Sequence, residues 1–176
     1  MKLMASSPLF EGSFLSLSRE TYLNAQGLQY DREIIHHSDA AVVLPFRYPN
    51  TLYLIKQYRY AVKDFLIEVP AGCLEQGETP EQAAYRELKE ETGFLAHSFT
   101  YFGKAYAMPG SCTECLHFFL AQEWIKGPTS FDQDEEIEIL SFSITEVKNM
   151  IKTGMIKDAK TLICLFYFFE FLEKKQ

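Results

Sequence analysis

Three glutamates, Glu87, Glu90 and Glu91, stand at i, i+3 and i+4 in this chain. On a helix those positions share one face. Three carboxylates held that close repel, so the arrangement calls for a positive partner. Arg86, four residues before Glu90, offsets part of the charge. The remainder suits a hard divalent cation, which prefers carboxylate oxygens. Taken alone, Arg-Glu-Leu-Lys-Glu-Glu is more often a solvated helix face. What surrounds the run decides between the two.

The helix that must carry these carboxylates is well marked. Residues 79–92 read as helical, with Thr79 as N-cap, Pro80 at the first helical position and Gln82 where a capping box wants Glu or Gln. Gly93 suits the left-handed position that ends a helix. Upstream, residues 13–22 and 28–36 flank the hairpin signal Asn24-Ala-Gln-Gly27. Residues 40–46 and 51–58 follow, separated by Tyr48-Pro-Asn50 and rich in the residues of covered strands. Further strands are predicted over 99–106, 116–122 and 137–142, and helices over 144–153 and 158–174. The apolar stretch 161–172 is too short to span a bilayer and reads as a buried helix. Strands and helices in mixed order imply an α/β sandwich.

Spacing overturns the solvated-helix reading. Gly72 is followed by five residues, then Glu78, then seven residues, then Arg86-Glu87-Leu88-Lys89-Glu90-Glu91-Thr92-Gly93-Phe94. This resembles the Nudix box, the signature of hydrolases acting on nucleoside diphosphates linked to another moiety. The one departure is Phe94, where an aliphatic residue is more usual. The resemblance implies a Nudix fold, an α/β/α sandwich with a mixed sheet. It also implies Mg²⁺, with Mn²⁺ as an alternative, held by Glu87, Glu90, Glu91 and the backbone carbonyl of Ala71. Gly72 and Gly77 are expected to let the loop fold tightly before the helix. Arg86 and Glu78 are expected to orient the glutamates and pin that loop.

Beyond the box, the chain resembles the ADP-ribose pyrophosphatase branch in Ala40-Ala-Val-Val-Leu-Pro45, Ile55-Lys-Gln-Tyr-Arg59, Glu68-Val-Pro-Ala-Gly72, Pro109 and Ala107-Met-Pro-Gly-Ser111 followed by Glu114. In that branch the N-terminal β segment is exchanged between two subunits. The resemblance therefore implies a homodimer, with residues 1–38 as an extending β-hairpin and 39–176 as the hydrolase domain. It assigns Arg32, Arg59, Glu68 and Tyr30 to the substrate, Tyr30 by stacking on the base. It places the catalytic base in the acidic loop 132–138, with Glu135 favoured and Glu136 second, while Glu90 contributes to catalysis beside the metal. Hydrolysis of ADP-ribose or another nucleoside diphosphate sugar is the implied reaction. GDP-mannose or broad nucleotide-sugar hydrolysis is the nearest alternative. A nucleoside triphosphate pyrophosphatase fits less well given the N-terminal hairpin and Pro109, and a non-catalytic nucleotide-binding domain because no box carboxylate is missing.

Composition agrees with these expectations. The 176 residues suit one domain with a full core, 47% are apolar, and the net charge is −7. No basic stripe suited to nucleic acid is apparent. Residues 1–10 lack a secretory signal, and no segment reads as a membrane span, so a cytoplasmic location is expected. Cys112-Thr-Glu-Cys115 has metal-ligand spacing, but no second pair completes a tetrahedral site, and reduced thiols are the expectation.

Overall fold

The computed structural model describes residues 1–127 and 136–174. The chain divides into two compact units, Met1–Asp39 with Ala105–Leu116, and Ala40–Lys104 with His117–Gln176.

In the first unit, β1 (Lys2–Glu11), β2 (Ser16–Leu23) and β3 (Gln29–His36) form an antiparallel sheet in that order. The β2–β3 turn is closed by Asn24, whose Oδ1 accepts the N–H groups of Gln26 and Leu28 at 2.9 Å each. A short polar side chain that bonds backbone two residues on is why Asn starts such turns. Strand β1 was not foreseen. Its pairing slips between Leu3 and Ala5 and again between Pro8 and Phe10, and each slip breaks the two-residue alternation that marks a strand. Pro8 is tolerated because β1 is an edge strand. The later segment joins this sheet through Ile35, which donates to the Ser111 carbonyl at 2.8 Å and accepts from the Thr113 N–H at 3.0 Å.

The second unit is built on a seven-stranded sheet. Its path runs β12 (Ile137–Ser143), β5 (Thr51–Arg59), β4 (Ala40–Arg47), β10 (Cys115–Ala121) and β9 (Phe99–Tyr106). Strand β6 (Asp64–Glu68) pairs with β5, and β7 (Ala71–Cys73) pairs with β4. A separate ribbon joins β8 (Phe94–Ala96) to β11 (Trp124–Lys126). Among the described residues, three helices complete the unit: α1 (Pro80–Thr92), α2 (Ile144–Lys152) and α3 (Ala159–Glu173). None of the described helices is long and apolar enough to cross a membrane.

Strand β4 is buried along Ala40–Phe46 because both of its faces are covered. Ala41 and Val43 share a cluster with Ala83, Ala84 and Leu88 of α1 and with Phe119 and Ala121. On the opposite face, Phe46 meets Phe168 of α3 at 5.0 Å, and Phe118 meets Tyr167 at 5.5 Å. Successive side chains alternate across a strand, so one sequence of small and large apolar residues serves two helices. This is the expected α/β/α sandwich. Phe94, the unusual residue of the box, stacks on Trp124 at 3.7 Å, and Tyr53 meets both rings edge-on. An aromatic fits there because the chain supplies aromatic partners for it.

Candidate active site

Helix α1 begins where its caps dictate. Thr79 accepts the Gln82 N–H, and Gln82 Oε1 accepts the Thr79 N–H at 2.8 Å, a full capping box. Gly93, at φ 69°, sends its N–H back to the Lys89 carbonyl at 2.8 Å. Between these stops the helix buries Ala83, Ala84 and Leu88 and carries Glu87 and Glu91 with them, the latter only 2% exposed.

Those two carboxylates lie against β7. Glu91 Oε2 accepts the Ala71 N–H at 3.0 Å. A Cβ on Gly72 would stand 1.9 Å from Glu87 Oε1 and 2.5 Å from Oε2. The need for glycine at position 72 is therefore close approach, whereas the loop conformation expected of both glycines applies to Gly77, at φ 82°. Buried carboxylate oxygens packed on a backbone strand are donors that a hard divalent cation takes. Glu87 and Glu91 present such oxygens beside β7, while Glu90, half-buried, is held by Arg86.

Arg86 organises the approach to this cluster. Its Nε and Nη2 grip the two oxygens of Glu78 at 3.1 and 2.9 Å, and Nη2 also reaches the Cys73 carbonyl at 2.8 Å. Its Nη1 donates to Glu87 Oε1 at 2.5 Å and to Glu90 Oε2 at 3.2 Å. One planar fork thus ties the loop before the helix to two of the three helical carboxylates. The same hydrogen bonds hold Glu78 below the usual carboxylate range.

A second charged group lies in the same unit. Arg59 donates from Nε and Nη2 to the two oxygens of Glu68 at 2.8 and 2.6 Å. Lys160, at the start of α3, also donates to Glu68 and sits 3.1 Å from Asp158 Oδ2. Glu68 is fully buried. Burial by itself pushes its carboxyl up, but the hydrogen bonds and charges of Arg59 and Lys160 outweigh that and leave it below the usual range. Arg59 is raised by its bond to Glu68, and it also feels the charges of Glu91 and Asp158.

The remaining expected residues are distributed as follows. Tyr30 and Arg32 are exposed on β3 of the first unit, the guanidinium 5.6 Å from the Tyr30 ring centre. Glu136 is exposed at the head of β12, whose first paired residue, Ile137, lies opposite Gln57, two residues before Arg59. Glu135 lies outside the described residues. Sequence reasoning missed Asp158 and Lys160. In sequence they look only like the start of a helix, and Asp158 is indeed the N-cap of α3. Their partner is 92 residues away from Lys160, and no periodicity signals that.

Comparison with known proteins bears on the family and the fold. The NUDIX domain family matches residues 36–164. An ADP-ribose pyrophosphatase of Bacillus subtilis is 33% identical over 168 residues, covering 94% of this chain and 91% of its own. A GDP-mannose pyrophosphatase of Yersinia enterocolitica is 35% identical over 154 residues, covering 82% and 80%. A solved structure of an ADP compounds hydrolase superposes with a TM-score of 0.87 at 19% identity, over 99% of this chain and 95% of that one, which speaks for the fold. With Glu87 and Glu91 of its box set on α1 against β7, the chain belongs to the Nudix family of hydrolases.

Proposed function

We propose that this Nudix hydrolase cleaves the pyrophosphate bond of ADP-ribose, or of a related nucleoside diphosphate sugar, giving a nucleoside monophosphate and a sugar phosphate. The convergence of Glu87 and Glu91 on Ala71 and Gly72, with Arg86 holding Glu87 and Glu90, carries this reading. Glu87, Glu90, Glu91 and the Ala71 carbonyl would hold the divalent cation, for which Mg²⁺ is proposed and Mn²⁺ is an alternative. When bound, the cation supplies positive charge against the charge that develops on the phosphoryl oxygens.

The protein's own groups do the rest. Arg59 faces the diphosphate. A carboxylate of the loop 132–138, Glu135 before Glu136, takes a proton from the water that attacks one phosphorus in line. Residues 1–38 are exchanged in a homodimer, so that Tyr30 and Arg32 reach the partner's substrate. The exposure of Leu3, Met4, Phe10 and Phe14 supports an interface on that segment. A cytoplasmic location, with reduced thiols, belongs to the same reading. GDP-mannose remains the second reading, favoured by the name of the Yersinia relative.

A Mg²⁺-supported panel of ADP-ribose, GDP-mannose, UDP-glucose, ATP and diadenosine polyphosphates tests the reading. Turnover of a nucleotide sugar is expected. Turnover of the triphosphates alone would refute it. Glu91→Gln should abolish activity with the fold intact, and retained activity would remove Glu91 from the metal site.

A further inference from the structure

Glu68 is the most deeply buried acidic side chain among the described residues, at 0% exposure. A carboxylate so placed is not available to a ligand, because both of its oxygens are already taken by Arg59 and one of them also by Lys160. We propose that Glu68 is a positioning residue that, together with Lys160, clamps the Nε/Nη2 edge of Arg59 and leaves its other edge for the substrate diphosphate. The proposal rests on the reading above, in which Arg59 serves the diphosphate.

The geometry of the clamp follows from the hairpin register. In the β5–β6 pairing, Arg59 lies opposite Asp64 and Glu68 opposite Ile55. Residues 55, 57 and 59 share one face, so the Arg59 side chain runs back along the sheet to reach Glu68. A guanidinium has two edges able to form paired hydrogen bonds. Glu68 occupies one of them. Nη1 makes no hydrogen bond among the described residues, and the side chain is 37% exposed. The free edge, Nη1 with the second Nη2 hydrogen, matches the spacing of phosphate oxygens.

Lys160 fixes the buried carboxylate. Its ammonium bonds the same Glu68 oxygen that Arg59 Nη2 bonds. Arg59, Glu68, Lys160 and Asp158 together carry no net charge, so the group offers a diphosphate the directed N–H donors of the outer Arg59 edge rather than net positive charge. Lys160 is itself steadied by Asp158, which caps α3 by accepting the Thr161 N–H at 2.9 Å. Thr161 Oγ1 in turn accepts the Val69 N–H, next to Glu68, at 2.9 Å. The clamp is thereby fastened at both ends to rigid elements, which is what fixes a substrate-facing side chain in one rotamer.

A buried ion cluster that merely joins α3 to the sheet would look alike, so the test separates the two. Steady-state kinetics with Mg²⁺ and the nucleotide sugar turned over fastest in the panel would compare wild type with Glu68→Gln, Arg59→Gln and the double variant. Glu68→Gln should raise KM by about tenfold and change kcat by less than about threefold, because binding is lost rather than chemistry. In the Arg59→Gln background the same substitution should change KM by less than about twofold, the non-additivity of two residues acting as one. Glu68→Asp keeps the charge but shortens the reach, and serves in the same cycle if Glu68→Gln does not fold. An equal KM increase with and without Arg59 would overturn the positioning role alone. An unchanged KM in Arg59→Gln would instead overturn the assignment of Arg59 to the diphosphate.

Discussion

Replacing Gly72 by alanine should damage the site while sparing the fold. The added methyl would lie 1.9 Å from Glu87 Oε1, 2.1 Å from Cδ and 2.5 Å from Oε2. Carbon and its neighbours rest at about 3.5–4.0 Å, so the carboxylate must retreat by more than about 1 Å. That movement is easy for the fold, because the obstructing atoms are the end of a flexible side chain and Gly72 has no left-handed φ to defend. It is costly for chemistry. Glu87 is a proposed metal ligand, and its Oε1 is held by Arg86 at 2.5 Å, so both shift together. A displacement of about 1 Å costs on the order of 100-fold in rate, or about 2.7 kcal/mol of transition-state stabilisation. The assay is Mg²⁺-titrated hydrolysis of ADP-ribose alongside thermal unfolding. We expect Gly72→Ala to keep its Tm within a few degrees, to lose about 100-fold in kcat and to need about tenfold more Mg²⁺. If the loss passes through Glu87, Gly72→Ala/Glu87→Ala should be no worse than Glu87→Ala. Wild-type kcat and Mg²⁺ demand in Gly72→Ala would refute the argument that this glycine exists to admit the Glu87 carboxylate.

Arg86→Lys should lower kcat by about 10–100-fold at unchanged net charge, because one ammonium cannot reach Glu78, Cys73, Glu87 and Glu90 together; near-normal turnover would show that charge alone suffices. Glu68 carries a pH prediction. Its folded pKa lies below its ordinary value of 4.5, so its contribution to stability is present above that value and fades as pH falls through the folded one. Glu68→Gln should therefore lower stability by about 3 kcal/mol at neutral pH and by less in acid, as read from urea unfolding at several pH values; parallel curves for the two proteins would contradict this. Phe168, fully buried against Phe46, should cost about 3–5 kcal/mol when cut to alanine, and a loss under about 1 kcal/mol in the same assay would mean that α3 is not anchored there.

Local interactions were readable from the chain itself. Thr79, Pro80, Gln82 and Gly93 bound a helix through bonds that span three or four residues, so α1 and the shared face of its glutamates follow from spacing. The same holds for the Asn24 turn and for the apolar runs of β4 and β5. Short strands such as β6, β7 and β8 were not legible, because three to five residues carry too little pattern and exist by pairing with a neighbour. The reason for Gly72 was misplaced for a similar cause. A glycine is visible in sequence, but the Glu87 carboxylate that fills the space beside it arrives only when α1 packs on β7. Lys160 and Asp158 show the same limit more sharply. The Lys160–Glu68 contact joins residues 92 apart, and only the packing of α3 on the sheet brings them together. The chain alone determined which carboxylates share a helix face; tertiary packing decided which backbone they press against and which cations restrain the rest, because those contacts join elements whose separation in sequence carries no periodic signal.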